Sequence, residues 1–116
     1  MKNNQFAEIS NLISNGEIDK AQIKLSKLHA QYQNNSEYLF LRSKIFYLNK
    51  LYYLAIDTLF IALEFDQSDK IYSLLGEIYM ILGNEDLSKK ILNKSSRSAV
   101  INDMKDTMTG SYRKTN

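Results

Sequence analysis

The sequence predicts an all-α protein of three stacked helix pairs followed by a C-terminal capping helix. Three observations carry this prediction. Apolar residues recur at spacings of three and four along most of the chain, as they do on the buried face of a helix. The 116 residues contain no proline and only four glycines, so few residues interrupt a helix. The pattern of apolar and small residues also returns after roughly 34 residues, the length of a helix-pair repeat.

The predicted helices alternate with short polar turns. Gly16 lies in the first turn, and Gly83 follows the fifth helix, where a left-handed C-cap is favoured. Ser36 is the predicted N-cap of the third helix. The polar, basic segment 110–116 is expected to be a flexible tail. The expected helices cover residues 5–14, 18–28, 37–48, 52–65, 70–82, 85–94 and 99–108.

Two copies of the pattern align with a spacing of 34 residues, which places Ala21 on Ala55 and Leu25 on Leu59. The third copy aligns with a spacing of 33 residues, which places Leu92 on the Leu59 position. The predicted single domain, residues 2–109, thus contains repeats at about 2–35, 36–69 and 69–98 and a capping helix at about 99–108. Small residues are expected where paired helices approach closely, namely Ala21, Ser43, Ala55, Gly76 and Ser88.

The start of the third copy resembles a tetratricopeptide repeat. Tyr72, Leu75, Gly76 and Tyr79 stand in the order Y-x2-L-G-x2-Y, close to the repeat pattern W-x2-L-G-x2-Y. Arg42 stands where that pattern has leucine in the second copy. The resemblance implies a short superhelix of three helix pairs. An unrelated helical bundle is the alternative.

In tetratricopeptide-like stacks the first helix of each pair lines the concave face, and the resemblance therefore implies a partner-binding groove. A mostly apolar groove suits the apolar face of an amphipathic helix. The alternative is that the capping helix 99–108 fills the groove itself. The implied groove residues are Phe6, Ile13, Phe40, Lys44, Tyr47, Leu48, Glu77, Met80 and Ile81.

The fourth predicted helix is apolar on nearly every side, which indicates burial on more than one face. Beyond its inward residues it carries Tyr53, Phe60 and Ile61. Either neighbouring helices cover these residues, or they form a second partner surface.

No constellation in the sequence indicates an enzyme, and no cofactor or metal site is expected. The chain has no cysteine, and its one histidine, His29, reads as a surface residue. A net charge of +2 is too small to favour nucleic acid or an anionic membrane. The first ten residues lack the apolar core of a secretory signal, and the most apolar run is interrupted by charges. Cytoplasmic localisation without membrane insertion is the expectation.

Three segments together resemble a narrower family, the needle-subunit chaperones of bacterial type III secretion systems. They are FAEIS at 6–10, YSLLGEIYMILGN at 72–84 and INDMKDTM at 101–108. The resemblance implies that the groove holds the amphipathic C-terminal helix of a needle subunit. It also implies a second partner, a small helical-hairpin co-chaperone, and a role in preventing premature polymerisation. The alternative functions are a general tetratricopeptide interaction module and a chaperone for translocator proteins.

Overall fold

Helices and short turns make up all of the backbone that the computed structural model describes, residues 4–107, and no strand occurs among them. The predicted all-α class is therefore confirmed. The predicted tail 110–116 and the last residue of the predicted capping helix lie outside the described residues. The helices are α1 (Asn4–Ser14), α2 (Ile18–Ser26), α3 (His29–Tyr32), α4 (Ser36–Leu48), α5 (Tyr52–Leu63), α6 (Asp69–Ile81), α7 (Glu85–Leu92) and α8 (Arg97–Thr107).

These helices belong to two compact units. The first unit lies within Met1–Gln67 and contains α1 to α5, and the second lies within Ser68–Asn116 and contains α6 to α8. The single domain 2–109 and its superhelical stacking stay predictions.

In the first unit, α1 packs against α2 and α4 packs against α5, while α4 also contacts α1 and α2. Helix α4 is thus the central element of this unit. Its buried residues and those of its neighbours form one apolar core. Among the most buried side chains are Ile9, Ala21, Tyr38, Ala55, Ile56 and Leu59.

The second predicted helix is interrupted, and this part of the prediction is wrong. The α-helix ends at Ser26, whose hydroxyl donates to the Ile23 carbonyl over 2.8 Å. The Leu28 N–H donates to the Leu25 carbonyl, a tighter three-residue turn, and α3 follows. A serine hydroxyl that competes for a backbone carbonyl weakens the continuing helix. Leu28 nevertheless stays buried.

The N-cap of α4 is Asn35, and the predicted cap at Ser36 is wrong by one residue. The Asn35 side-chain oxygen accepts a hydrogen bond from the Tyr38 N–H over 3.0 Å. Asn84 does the same for the Leu87 N–H at the start of α7, over 3.2 Å. Each asparagine thereby satisfies a backbone donor that the first helical turn leaves unpaired.

The three turns that join α1 to α2, α4 to α5 and α6 to α7 share one backbone geometry. Each contains a residue in the left-handed region, namely Gly16, Lys50 and Gly83, spaced by 34 and 33 residues. At each, the left-handed residue donates to the carbonyl three residues earlier, and the next residue donates to the carbonyl five residues earlier. This pair of bonds is the Schellman motif. The recurrence supports the predicted repeat period at the level of local backbone.

In the second unit, α6 packs against α7 and α7 packs against α8. The Ser88 hydroxyl donates to the Gly76 carbonyl over 2.7 Å, and both residues are buried. A Cβ atom at Gly76 would lie 2.7 Å from Leu92 Cδ2, so any larger residue there would have to displace the Leu92 side chain. Leu92 itself stays 45% exposed, whereas Ile91 is fully buried. The repeat alignment placed Leu92 on Leu59, which is buried. That pairing is wrong, because the buried residue at this point of α7 is Ile91.

Arg97, the first residue of α8, holds that helix against α6. Its guanidinium lies over the Tyr72 ring, 4.3 Å from the ring centroid, and its Nη1 donates to Asp69 Oδ1 over 2.9 Å. Lys94 Nζ approaches the other Asp69 oxygen at 3.5 Å. The hydrogen bond from Arg97, with the charge of Lys94, lowers the pKa of Asp69. Burial raises the pKa of Tyr72, and the Arg97 charge opposes that rise.

The left-handed lysine gives a first prediction. Lys50 adopts φ of 63°, a conformation that costs a non-glycine residue about 1–2 kcal/mol. Glycine avoids this cost but loses about 0.5–1 kcal/mol through greater freedom in the unfolded chain. Lys50→Gly is expected to raise the free energy of unfolding by about 0.5–1 kcal/mol, measured by urea denaturation. The control Lys90→Gly, in the middle of α7, should lower it by about 1 kcal/mol.

The Asp69 ion pairs give a second prediction, on pH. Because the folded state lowers the pKa of Asp69, this carboxylate adds stability above its ordinary pKa of about 3.9. That stability is lost as the pH falls through the lower pKa that Asp69 has in the folded protein. The difference in Tm between the natural chain and Asp69→Asn should therefore shrink as the pH falls from 7 through 4 and below.

Asp66→Asn is the control, because Asp66 forms no ion pair among the described residues and its replacement should leave no such pH-dependent difference. Arg97→Gln should move the Asp69 titration midpoint, followed by NMR, back toward the ordinary value. An Asp69 midpoint at or above the ordinary value in the natural chain would contradict this account.

Candidate functional site

The predicted groove residues of α4 share one side of that helix. Phe40, Lys44 and Tyr47 are half-buried, and Leu48 at the end of the helix is 39% exposed. Their spacings of four, three and one place them along one stripe. The Tyr47 ring makes an edge contact with Tyr52, the first residue of α5, with ring centroids 6.1 Å apart. The stripe therefore contains an aromatic ring, that of Tyr47, which packs against Tyr52, and an accessible leucine, Leu48.

The predicted groove residues of α6 are all exposed. Met80 and Ile81 keep 44% and 47% of their surface accessible, and Glu77 lies one turn before them on the same side. The opposite side of α6 is buried through Leu75 and Ile78. Helix α6 thus buries one apolar side within the chain and leaves Met80 and Ile81 accessible near its C-terminal end, beside Glu77.

The first helix contributes less than predicted. Phe6 is 8% exposed, and its ring packs edge-on against Tyr32 with centroids 5.1 Å apart. An aromatic ring held in this way belongs to the core, so the assignment of Phe6 to an open groove is wrong. Ile13, near the end of α1, is half-buried and remains accessible in part.

The predicted second surface on α5 needs one correction and one extension. Tyr53 is 72% and Ile61 is 39% exposed, but Phe60 is fully buried. Phe60 lies one turn after Ile56 on the buried side of the helix, and it therefore belongs to the core. Sequence reasoning missed Leu54 and Phe65, which are about half exposed. Leu54 lies seven residues before Ile61, and Phe65 lies four residues after it. These helical spacings could have placed both residues on the same face as Ile61.

His29 is exposed, as expected, but it is not isolated. Its Nδ1 lies 2.7 Å from the hydroxyl of Tyr38, whose ring is otherwise buried. Arg42 Nη1 donates to the same hydroxyl over a longer 3.4 Å. Tyr38 and Arg42 lie four residues apart on α4, a spacing at which helical side chains meet, but no sequence pattern indicated that His29 joins them.

Several charged residues of the described part form ordinary surface pairs. Lys20 pairs with Glu17 and Lys90 with Asp86, each within one helix or at its start. The hydrogen bond and charge of Glu17 raise the pKa of Lys20. Among residues 4–107, no three His, Asp or Glu side chains gather closely enough to hold a metal ion. Within the same residues, no helix has the length and apolar character needed to cross a membrane.

No protein-family model, curated protein or solved structure matches this chain. The candidate site is therefore defined by the geometry of the chain itself. The first unit carries an accessible apolar stripe on α4, whose most exposed member is Leu48, and the second unit carries one on α6, whose most exposed members are Met80 and Ile81.

Proposed function

We propose that this chain is a non-enzymatic, cytoplasmic chaperone of the type III secretion kind, which binds the amphipathic C-terminal helix of a needle subunit. The observation that carries the proposal is the exposure of Leu48, Met80 and Ile81 on the first helices of their pairs. Side chains of the same types elsewhere on α4 and α6 are buried. The exposed ones are therefore available to a partner.

The three most exposed anchors do not by themselves offset the cost of association. Complete burial of a leucine, isoleucine or methionine side chain contributes about 1.5–3 kcal/mol. Half-exposed side chains contribute roughly half of that, and the accessible parts of Ile13, Phe40 and Tyr47 add to it. Association itself costs about 4–15 kcal/mol. Several anchors acting together are thus required, which explains why one helix face of the partner must be apolar along its length.

A helical partner fits the spacing of these side chains. Residues three and four apart on α4 and α6 form ridges, and an amphipathic helix presents complementary ridges with the same periods. Lys44 and Glu77 lie on the same sides as the apolar anchors and provide charges of opposite sign. They can pair with polar residues at the margins of the bound helix.

This binding mode explains how a chaperone of this kind would prevent assembly. A needle subunit polymerises by packing its terminal helix against other subunits. A helix whose apolar face is already buried, whether against Tyr47 and Leu48 on α4 or against Met80 on α6, has no free face for that packing. Release of the helix would restore its ability to assemble.

The second apolar stripe, on α5, is the surface that we assign to the small helical-hairpin co-chaperone. Tyr53, Leu54 and Ile61 are exposed there, and Phe65 continues the stripe beyond the helix. Two helices of a hairpin could cover these residues. The α5 stripe and the α4 stripe involve different residues, so the two partners need not compete for the same side chains.

The proposal predicts a selective loss of binding. Leu48→Glu and Met80→Glu each replace an exposed apolar anchor with a charge that the partner helix would have to desolvate. Each should weaken binding of a needle subunit from the same genome at least about tenfold, since about 1.4 kcal/mol corresponds to a factor of ten. Co-expression followed by size-exclusion chromatography and calorimetry of the complex measures the effect.

Ile23→Glu is the matched control, because Ile23 is 58% exposed on α2 and lies outside both stripes. It should change the affinity for the needle subunit by no more than about twofold relative to the natural chain, because surface substitutions away from a contact have small effects. Equal effects of the three substitutions, or no complex with any needle subunit, would contradict the proposal. Binding of an extended segment in place of a helix would instead favour the translocator-chaperone alternative.

A further inference from the structure

A pocket of about 160 Å³ lies in the first unit, between α2 and α4 and beside the turn that leads into α5. Its apolar wall is formed by Leu25, Ile45, Phe46 and Leu51. None of the stripe residues Phe40, Lys44, Tyr47 and Leu48 lines it. The pocket is therefore a feature separate from the proposed helix-binding face and does not rest on the proposed function.

One charged group lines this pocket, the guanidinium of Arg42. Its Cζ lies 5.2 Å from the centroid of the Phe46 ring, so the cation is held over an aromatic face at the pocket wall. Its contact with Tyr38 is to a neutral hydroxyl. No carboxylate of the described residues forms an ion pair with it. The planar array of donors on Arg42 can therefore still accept a bidentate anion.

Tyr38 and His29 fix the position of this cation. Arginine only donates hydrogen bonds, so the Tyr38 oxygen accepts from Arg42 Nη1. The Tyr38 hydroxyl also lies 2.7 Å from His29 Nδ1, and its ring is fully buried. The buried ring and the short contact restrict the hydroxyl, and the hydroxyl in turn orients the guanidinium. Gln22 and Asn49 add neutral polar groups to the lining.

The size and lining of the pocket limit what it can hold. An apolar protein cavity of about 150 Å³ accommodates a benzene ring. A ligand of one apolar or aromatic side chain with an attached carboxylate matches both the volume and the chemistry. A phosphorylated nucleoside would be too large for this volume, and an uncharged apolar molecule would leave the guanidinium without an anionic partner.

We propose that this pocket binds a carboxylate carried on a single apolar or aromatic group, with Arg42 holding the carboxylate and Phe46, Leu25 and Ile45 holding the apolar part. Such a carboxylate is present at the C-terminus of a peptide and in a small aromatic acid. Both sources offer the same chemistry to Arg42, and the experiment below separates them.

The test uses the full chain and two probes, N-acetyl-phenylalanine for a peptide C-terminus and benzoate for a small acid. Binding is followed by ¹H–¹⁵N NMR titration, and the expected affinity is on the order of millimolar for ligands of this size. Saturable shifts should centre on the residues that line the pocket. The neutral counterparts, N-acetyl-phenylalanine amide and benzamide, should bind at least about tenfold more weakly, because a hydrogen-bonded charge is lost.

Variants identify the group responsible. Arg42→Gln should abolish binding of both acids, and Arg42→Lys should retain part of it because it keeps the charge but loses the bidentate geometry. Lys20→Gln is the matched control: it removes a positive charge on α2, outside the pocket lining and outside both stripes, and should not change the affinity. Retained helical circular dichroism shows that each variant is folded.

Stronger binding of N-acetyl-phenylalanine than of benzoate would assign the pocket to a peptide C-terminus, and the reverse order would assign it to a small acid. Equal affinity for acid and amide, unchanged affinity in Arg42→Gln, or no saturable shift with either acid would overturn the proposal. Substitution of Met80 has no part in this test, so a failure of the proposed chaperone function would leave these outcomes unaffected.

Discussion

The close approach of paired helices at small buried residues is the constraint on which the rest of this structure depends. In the second unit, the Ser88 hydroxyl reaches the Gly76 carbonyl over 2.7 Å, and a single added methyl group at Gly76 would meet Leu92. In the first unit, Ala21, Ser43 and Ala55 are each fully buried. Helices that approach this closely bury their large residues on the flanks of the contact, which fixes the rotation of each helix about its axis.

That rotation determines which side chains remain accessible. Ile45 on α4 and Ile78 on α6 are buried, whereas Leu48, Met80 and Ile81, at the C-terminal ends of the same helices, stay 39–47% exposed. The exposed stripes lie on helices whose packing within the pairs leaves these side chains uncovered, whereas the Arg42 pocket lies between α2 and α4, which belong to different pairs. Both features are available for recognition.

Much of the fold could be predicted from the sequence, because helix periodicity, glycine positions and the 34-residue spacing are local signals. The break at Ser26 and the asparagine cap at Asn35 could not, since each depends on which side chain reaches a backbone group. Phe6 and Phe60 were misassigned for a related reason: periodicity gives the face of a helix but not its neighbours. The contact of Arg42 with Tyr38 follows from their spacing of four residues on α4, whereas the approach of His29 depends on tertiary packing between separate segments and left no pattern in the sequence.

The most direct test of the central claim, that the outward stripes of α4 and α6 bind a helix, is methyl NMR of the full chain labelled at its Ile, Leu and Met methyl groups. Addition of the C-terminal helix of a needle subunit should shift the signals of Leu48, Met80 and Ile81 and leave that of Ile23 unchanged. Shifts confined to Leu54 and Ile61, or spread equally to Ile23, would contradict the claim.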